Sequence, residues 1–403
     1  MIDESDVLAA RDRVAETARH TPLDYSYTFS DLTGAAVHLK LETFQRTGSF
    51  KVRGATNKIA TLSEAEQDAG VVTASAGNHA QGVALAATRI GVDSTIVMPE
   101  DAPVAKVNAT RSYGGRVVLH GADYDEAAER AHEIEREEGR TYVHAFDDPT
   151  VMAGQGTIGL EILEDLPGVD TVVVPIGGGG LISGIATAVT AADPDIRVIG
   201  VQAEGASSVA PSLEKGERVE LDGVETIADG IATRTVGEQT FEVIRERVDE
   251  VVTVSDDETA EALTTLLERG KTLVEGAGAV PLAALLEGKF DYDEDEVIVP
   301  CLCGGNIDLN LLTTVIMRGL VQTGRYLRFR TVLKDRPGEL ERLVEVISEH
   351  RANIYAIEHG RTSRDVAMND AEVEIDLETR GPDHVDALLA ALREAGYEVE
   401  VLV

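Results

Sequence analysis

Between about residue 35 and residue 320, short apolar runs rich in Val and Ile alternate with amphipathic helical segments. No other feature of the chain restricts its fold as much. The runs are AAVHLKL, GVVTAS, STIVMP, RVVLHG, TVVVPI, RVIGVQ and EVIVPCLC, each followed by small or polar residues and a helical pattern such as DYDEAAERAHEIEREEG. Alternation of this kind requires parallel strands joined by crossover helices, an α/β body. The runs are apolar throughout, as strands are when both sheet faces are covered. After Gln322-Thr323-Gly324 the pattern changes. YLRFRTVLK reads as a strand and PGELERLVEVISEH as a helix with Pro337 in its first turn. NIYAIEHGRT and AEVEIDLETR read as strands joined by a polar loop, then come the helix DHVDALLAALREAG and the strand YEVEVLV. The order βαββαβ is the ferredoxin-like split unit. The expected division is a body over residues 1–322, with a smaller subdomain at roughly 44–147, and a second domain over 326–403.

Charge removes several function classes. Against 72 Asp and Glu stand 36 Lys and Arg, a net charge of -36. Such a surface repels phosphate backbones and anionic membranes, so nucleic acid and membrane partners are excluded. The acid excess is spread along the chain, which fits a solvated surface adapted to high salt better than an ordinary acidic enzyme. Two cysteines, Cys301 and Cys303, make neither a disulfide framework nor a metal signature. The most apolar stretch, Thr171 to Ala192, is interrupted by Pro175 and Gly177 to Gly180 and reads as strand, loop and buried helix. The N-terminus, MIDESDVLAARDRVAE, is acidic and helical, the opposite of a signal peptide. A soluble cytoplasmic protein is expected.

Four segments carry the chemistry. In TVVVPIGGGGLISG a strand runs into Gly177–Gly180 and a helix beginning near Leu181. Glycines there let backbone N–H groups converge on an anion at a helix N-terminus, and one or two would suffice for a tight turn alone. Neither a dinucleotide nor a nucleotide glycine fingerprint is present. In GSFKVRGA, Lys51 is either a solvated surface charge or, between apolar Phe50 and Val52, a desolvated amine nucleophilic toward a carbonyl. Arg53 lies nearby but on an opposing side of a helix. In SAGNHAQG, Ser75 and Gly77 offer backbone donors to a carboxylate, and Asn78 can hydrogen-bond a ring hydroxyl. His79 is a base or a packed helix residue, and packing is preferred. In CLCGGN, Cys303 sits after a strand as a weak donor or acceptor. An amine, a phosphate cradle, a carboxylate cradle and a polar atom for a ring nitrogen together suit pyridoxal phosphate carrying an amino acid.

SFKVRGA, SAGNHAQG, MAGQGTIGLEI, PIGGGGLISG, TIADGIA, VEGAGA and CGGN, in this order, resemble the threonine dehydratase branch of the fold-type II, tryptophan-synthase-β-like pyridoxal phosphate enzymes. KDRPGELERLVEVI resembles an ACT domain, a small-ligand regulatory module. The first resemblance implies two parallel-sheet subdomains and conversion of L-threonine to 2-oxobutanoate and ammonia, and of L-serine to pyruvate. It implies that Lys51 holds the cofactor and removes the substrate's Cα proton. Phe50 would pack on the cofactor ring, Asn78 would bond its hydroxyl, and Gly177, Gly178, Gly179, Gly180 and Leu181 would cradle its phosphate. Gly230 and Glu275 would lie along the ring's other edge, and Cys303 would stand where the family usually places Ser at the ring nitrogen. Substrate would meet Ser75, Ala76, Gly77, Asn78, His79 and Phe146, the last as an apolar wall suited to a methyl group. Ala76 replaces the serine that acts as acid and base in related serine racemases, which argues against racemisation. Near Gln202, Ala206 and Ser208 the family's two metal-binding carboxylates are missing, so no metal ligand is assigned. The competing readings are a serine racemase or serine dehydratase, and a non-catalytic amino-acid sensor. The second resemblance implies a branched-chain effector, isoleucine with valine as antagonist, at Lys334-Asp335-Arg336-Pro337-Gly338 of one domain and Asn353 of a paired one. It also implies isoleucine biosynthesis as the setting and a homo-oligomer, dimer or tetramer.

Overall fold

The computed structural model describes residues 1–361 and 366–403. The chain divides into two compact units, residues 1–308 and 309–403. Helix Leu309–Gln322, grouped with the body on sequence grounds, falls in the second unit. No helix among the described residues is long and apolar enough to cross a membrane.

The first unit holds two sheets. Strands Leu23–Tyr25, Ala36–Leu41, Val297–Leu302, Thr171–Pro175, Arg197–Ala203 and Glu250–Val254 lie side by side in that order. Strands Arg116–Leu119, Ser94–Met98, Val71–Ala74 and Thr141–Tyr142 form the smaller sheet. All seven apolar runs identified in the sequence are strands here. Val71–Ala74, Ser94–Met98 and Thr171–Pro175 are buried at every residue, the consequence of helices on both faces. The expectation of purely parallel sheets needs one correction, because Leu23–Tyr25 pairs antiparallel with Ala36–Leu41. The segment between them is too short for a parallel crossover, which takes a dozen or more residues.

Helix Lys51–Ala60 is fixed on one side by a buried ion cluster. Arg53, 1% exposed, gives Nη2 to Glu42 Oε1 at 2.7 Å and Nη1 to Glu161 Oε1 at 2.6 Å. Lys40, fully buried, gives Nζ to Glu161 Oε2 at 2.7 Å and to Thr21 O at 2.8 Å. Two cations thus face two carboxylates, and the helix is tied to strand Ala36–Leu41 and to helix Pro149–Asp165. Burial works against the Arg53 charge, but Glu42 and Glu161 overcome it and hold the guanidinium pKa above its ordinary value.

The second unit is antiparallel. Strands Tyr326–Lys334, Asn353–Gly360, Asp370–Glu378 and Val399–Val401 alternate with helices Glu339–Glu349 and Pro382–Glu394 as βαββαβ. The spatial order places the first strand between the last and the third, with the second at the edge. Alternate residues of Tyr326–Lys334 and Asp370–Glu378 point into a core with Leu343, Ile347, Leu388 and Leu392. Pro337 lies outside the helix, whose N-cap is Gly338 at φ 93. Part of the polar loop joining the two middle strands lies outside the described residues.

Candidate active site

Lys51 begins its helix because two glycine-containing segments pair beneath it. Phe50 N–H donates to Cys303 O at 3.1 Å and Gly305 N–H to Gly48 O at 2.8 Å. The Lys51 side chain enters a cavity of about 670 Å³ whose wall includes Phe50, Asn78, Gly177–Gly180 and Cys303. Its Nζ donates to Ala145 O at 3.1 Å and stands 5.1 Å from the Phe50 ring centroid. No carboxylate pairs with it among the described residues. Burial pulls its pKa from 10.5 down to about 8, against the opposing pull of Cys303 and Glu275. A side chain turned into the cavity and bonded to a backbone carbonyl speaks against the solvated-charge alternative for Lys51.

Gly177–Gly180 follow strand Thr171–Pro175 and open helix Gly180–Ala192. Each glycine is held by a close neighbour. A Cβ on Gly178 would fall in the Phe146 ring, one on Gly180 would meet Phe146 backbone, and one on Gly177 would meet Ile231. Gly179 adopts φ 93 with Thr240 against it, a backbone suited to glycine alone. A tight turn does not account for four glycines, whereas these approaches do. The N–H groups of Gly177, Gly178 and Gly179 donate to no protein group among the described residues, and Leu181 lines the same wall. Beside them Thr233 Oγ1 is buried without a partner. This threonine has no sequence signal beyond its place after TIADGIA.

The SAGNH loop departs from expectation. Ser75 N–H is used by Val97 O at 3.1 Å, and Gly77 N–H by Ser75 Oγ at 3.2 Å, so neither is free for a carboxylate. Strand Val71–Ala74 continues one hydrogen bond further than its burial suggests, and the serine hydroxyl caps the turn. The N–H groups of Asn78 and His79, in the first turn of helix Asn78–Ile90, lack partners among the described residues. Ala76 is not part of the cavity wall, since it packs toward Ala80, Ile96 and Val107. His79 is 3% exposed, with Nε2 against Val143 O at 2.9 Å and Nδ1 unpartnered. Burial and the Lys51 charge push its pKa down to about 3, which fits packing and not a base at neutral pH.

Asn78 and Glu275 meet directly, Nδ2 to Oε1 at 2.7 Å, so the two do not sit on separate edges of the cavity. Burial raises the Glu275 pKa to about 7, although the Asn78 bond opposes this. Gly230 lies against Glu275, with room for a Cβ only 3.4 Å from Oε1. Asn306 donates to Asn78 Oδ1 and to Thr47 O, each at 2.7 Å, and so fixes the orientation of the Asn78 amide. Asn306 is the last residue of the CGGN motif, three positions after Cys303. The Cys303 thiol donates to Ala277 O at 3.4 Å, and burial pushes its pKa well above normal, so it stays protonated. Phe146 lines the cavity and stacks edge-on against His144, with centroids 4.6 Å apart.

Outside the cavity, Gln202 Nε2 donates to Ala206 O at 3.1 Å while its Oε1 accepts from Val209 N–H at 2.8 Å, and Ser208 Oγ is buried without a partner. No group of three or more His, Cys, Asp or Glu is placed to hold a metal among the described residues. In the second unit, Asp335 pairs with Arg361 at 2.9 Å, and nothing lies within 4 Å of a Cβ built on Gly338. Asn353 bonds Glu378 at 3.1 Å. It pairs with the far end of strand Asp370–Glu378, roughly 27 Å from the turn after Lys334, so one chain does not join Asn353 to Asp335, Pro337 and Gly338.

A desolvated amine, a glycine loop with unspent N–H groups and an orphaned hydroxyl fit an aldehyde cofactor that bears a phosphate. They define an α/β enzyme with a lysine amine in its cavity. A family model for pyridoxal-phosphate dependent enzymes matches residues 14–304, and the chain belongs to that family. It is 46% identical over 402 residues, all of both chains, to the L-threonine ammonia-lyase of Thermotoga maritima. It is 50% identical over 393 residues, 98% of each, to the corresponding enzyme of Geobacter sulfurreducens. Among solved structures, the processed threonine deaminase isoform 2 of Solanum lycopersicum matches with TM-score 0.74 and 42% identity, over 78% of this chain and 91% of that one. Maize serine racemase matches with TM-score 0.74 and 36% identity, over 79% and 98%.

Proposed function

We propose that this chain is a pyridoxal phosphate-dependent L-threonine ammonia-lyase, forming 2-oxobutanoate and ammonia, and pyruvate from L-serine. The single observation that carries the reading is the Lys51 amine, set at the wall of a glycine-lined cavity with a backbone carbonyl for its partner. Lys51 would hold the cofactor, Gly177–Gly180 with Leu181 would bind its phosphate, and Asn78, Glu275 and Cys303 would meet its ring. Bound there, the cofactor supplies an electron sink for the charge left on Cα. Once the substrate amine has taken its place on the cofactor, the freed neutral Lys51 Nζ would accept the Cα proton. Cys303, kept protonated by burial, would meet the cofactor's ring as a neutral thiol and not as a carboxylate able to protonate it. The N–H groups of Asn78 and His79 hold the substrate carboxylate, and Phe146 presents an apolar surface to the threonine methyl. The test is a product assay with L-threonine, L-serine and their D-isomers. Oxobutanoate from L-threonine is expected, and racemisation without oxo-acid would overturn the reading.

For residues 326–403 the βαββαβ order supports an ACT-type regulatory domain, for which isoleucine is the proposed effector and valine its antagonist. The open space at Gly338 supports the turn after Lys334 as the ligand's place. Because Asn353 lies far from that turn, the reading requires a second copy of the chain, hence a homo-oligomer, a dimer or tetramer. We further propose isoleucine synthesis in a salt-rich cytoplasm as the setting, the salt reading resting on the net charge of -36. Isoleucine should shift the half-saturating threonine concentration in the wild type and not in Asn353→Ala, and no response in either would make the domain structural.

A further inference from the structure

Behind the glycine loop stands a closed set of contacts that no sequence motif marks. Thr240, fully buried in helix Glu238–Arg247, donates Oγ1 to Gly178 O at 2.7 Å, and Gly237 N–H donates to the same oxygen at 3.1 Å. The start of that helix is held in turn by Asp147. Its carboxylate accepts from Glu238 N–H at 3.0 Å, Gln239 N–H at 2.9 Å and Thr240 N–H at 3.3 Å. Asp147 adjoins Phe146, which packs against Gly178 and Gly180. Asp147 N–H and Phe146 N–H both donate to His144 Nδ1, at 2.8 and 3.2 Å. The loop, the helix and the 144–147 segment therefore lock one another.

We infer that Thr240 and Asp147 are positioning residues for the phosphate cradle, an inference that rests on the proposed cofactor reading. A peptide unit is planar and trans, so its C=O and N–H point in opposite directions. Drawing Gly178 O onto Thr240 turns the N–H of Gly179 away from Thr240, which is not part of the cavity wall, whereas Gly179 is. Gly178 is free of a side chain that would resist either orientation, so its peptide needs an external hold. Two donors on one buried carbonyl oxygen provide it, and three N–H groups on one carboxylate fix where those donors stand. Neither Thr240 nor Asp147 is part of the cavity wall. Each acts through the loop.

The test separates phosphate from ring. Apo-enzyme is titrated with pyridoxal phosphate and with pyridoxal, which lacks the phosphate, following absorbance of the Lys51-bound species. Thr240→Val should weaken pyridoxal phosphate about tenfold, the worth of one buried hydrogen bond. Pyridoxal affinity should stay within about twofold. Thr240→Ser, which keeps the hydroxyl, should restore discrimination between the two. Equal weakening of both ligands would reduce Thr240 to general support of the fold and overturn the inference, as would unchanged affinity for both. If Thr240→Val does not fold, Asp147→Asn is read by the same comparison. A wild type that binds neither ligand would overturn the cofactor reading itself, an outcome distinct from any failure of the variants.

Discussion

Helix Lys51–Ala60 presents a buried cation and a partly buried one to two different regions, and their surroundings give them opposite chemistry. Arg53 faces a charge-balanced cluster with Glu42, Glu161 and Lys40, where each charge is hydrogen-bonded and the guanidinium is permanently ionised. Lys51 faces a cavity, with a backbone carbonyl for a partner and an amine that loses its proton near pH 8. Arg53 is the more deeply buried of the two and yet stays ionised, so burial alone does not set reactivity. The carboxylates do. The cluster holds the helix in place, and the cavity leaves its first residue uncompensated and therefore reactive.

The largest effect should come from removing the uncompensated cation. Lys51→Ala should lower threonine turnover by at least about a thousandfold, with the melting temperature little changed. More than a trace of oxobutanoate from the purified variant would break the contrast, because another group would then be doing the chemistry. Removing the compensated cation should do the reverse. Arg53→Met leaves the Glu42 charge buried with the Thr21 hydroxyl but no cation, takes the cation from Glu161 Oε1, and should cost about 3–5 kcal/mol of stability in denaturant titration. A loss below about 1 kcal/mol would show that the cluster is wet or relaxes easily.

The pH dependence sharpens the comparison. The Lys51 pKa is lowered in the folded protein, so the unfolded chain binds more protons between about pH 8 and 10.5. Over that window the stability of the apo-protein should rise with pH as the buried charge is discharged. Acylation of apo-enzyme by an amine-reactive ester should likewise reach half its limiting rate at Lys51 near pH 8, while exposed lysines follow near 10.4. Mass mapping across the pH series reads both. A Lys51 midpoint matching the exposed lysines would mean that the cavity does not desolvate it.

A smaller and more general effect concerns salt. With a net charge of -36, surface repulsion should be relieved by KCl, and the melting temperature should rise from low to molar concentration. The buried cluster is shielded from the solvent ions, so the gap between wild type and Arg53→Met should stay constant across that series. A gap that closes with salt would place the cluster's energy at the surface.

How much of this was legible follows from the same contrast. Lys51, the glycine loop, Asn78 and Cys303 stand in contiguous motifs, because each must follow a strand or open a helix at the cavity. The seven apolar runs were legible because strands covered on both faces need no polar alternation. Glu42 and Glu161 were not, being single acids 119 residues apart whose meeting depends on tertiary packing. Asp147, Thr240 and Asn306 act through backbone atoms of other segments, and no spacing rule exposes that. Strand Leu23–Tyr25 has three residues and Thr141–Tyr142 two, too few for a period to show. At Ser75 the residue type suggested a donor, but sheet pairing had already taken its N–H.

The central claim is that the uncompensated amine at residue 51 carries the cofactor. The direct measurement is to load the full chain with pyridoxal phosphate, fix the adduct with borohydride, digest it and map the pyridoxyl mass. The label should lie on the peptide containing Lys51, one per chain, and be absent from the Lys51→Ala protein. A label on any of the seven other lysines, or the same yield from Lys51→Ala, would contradict the account.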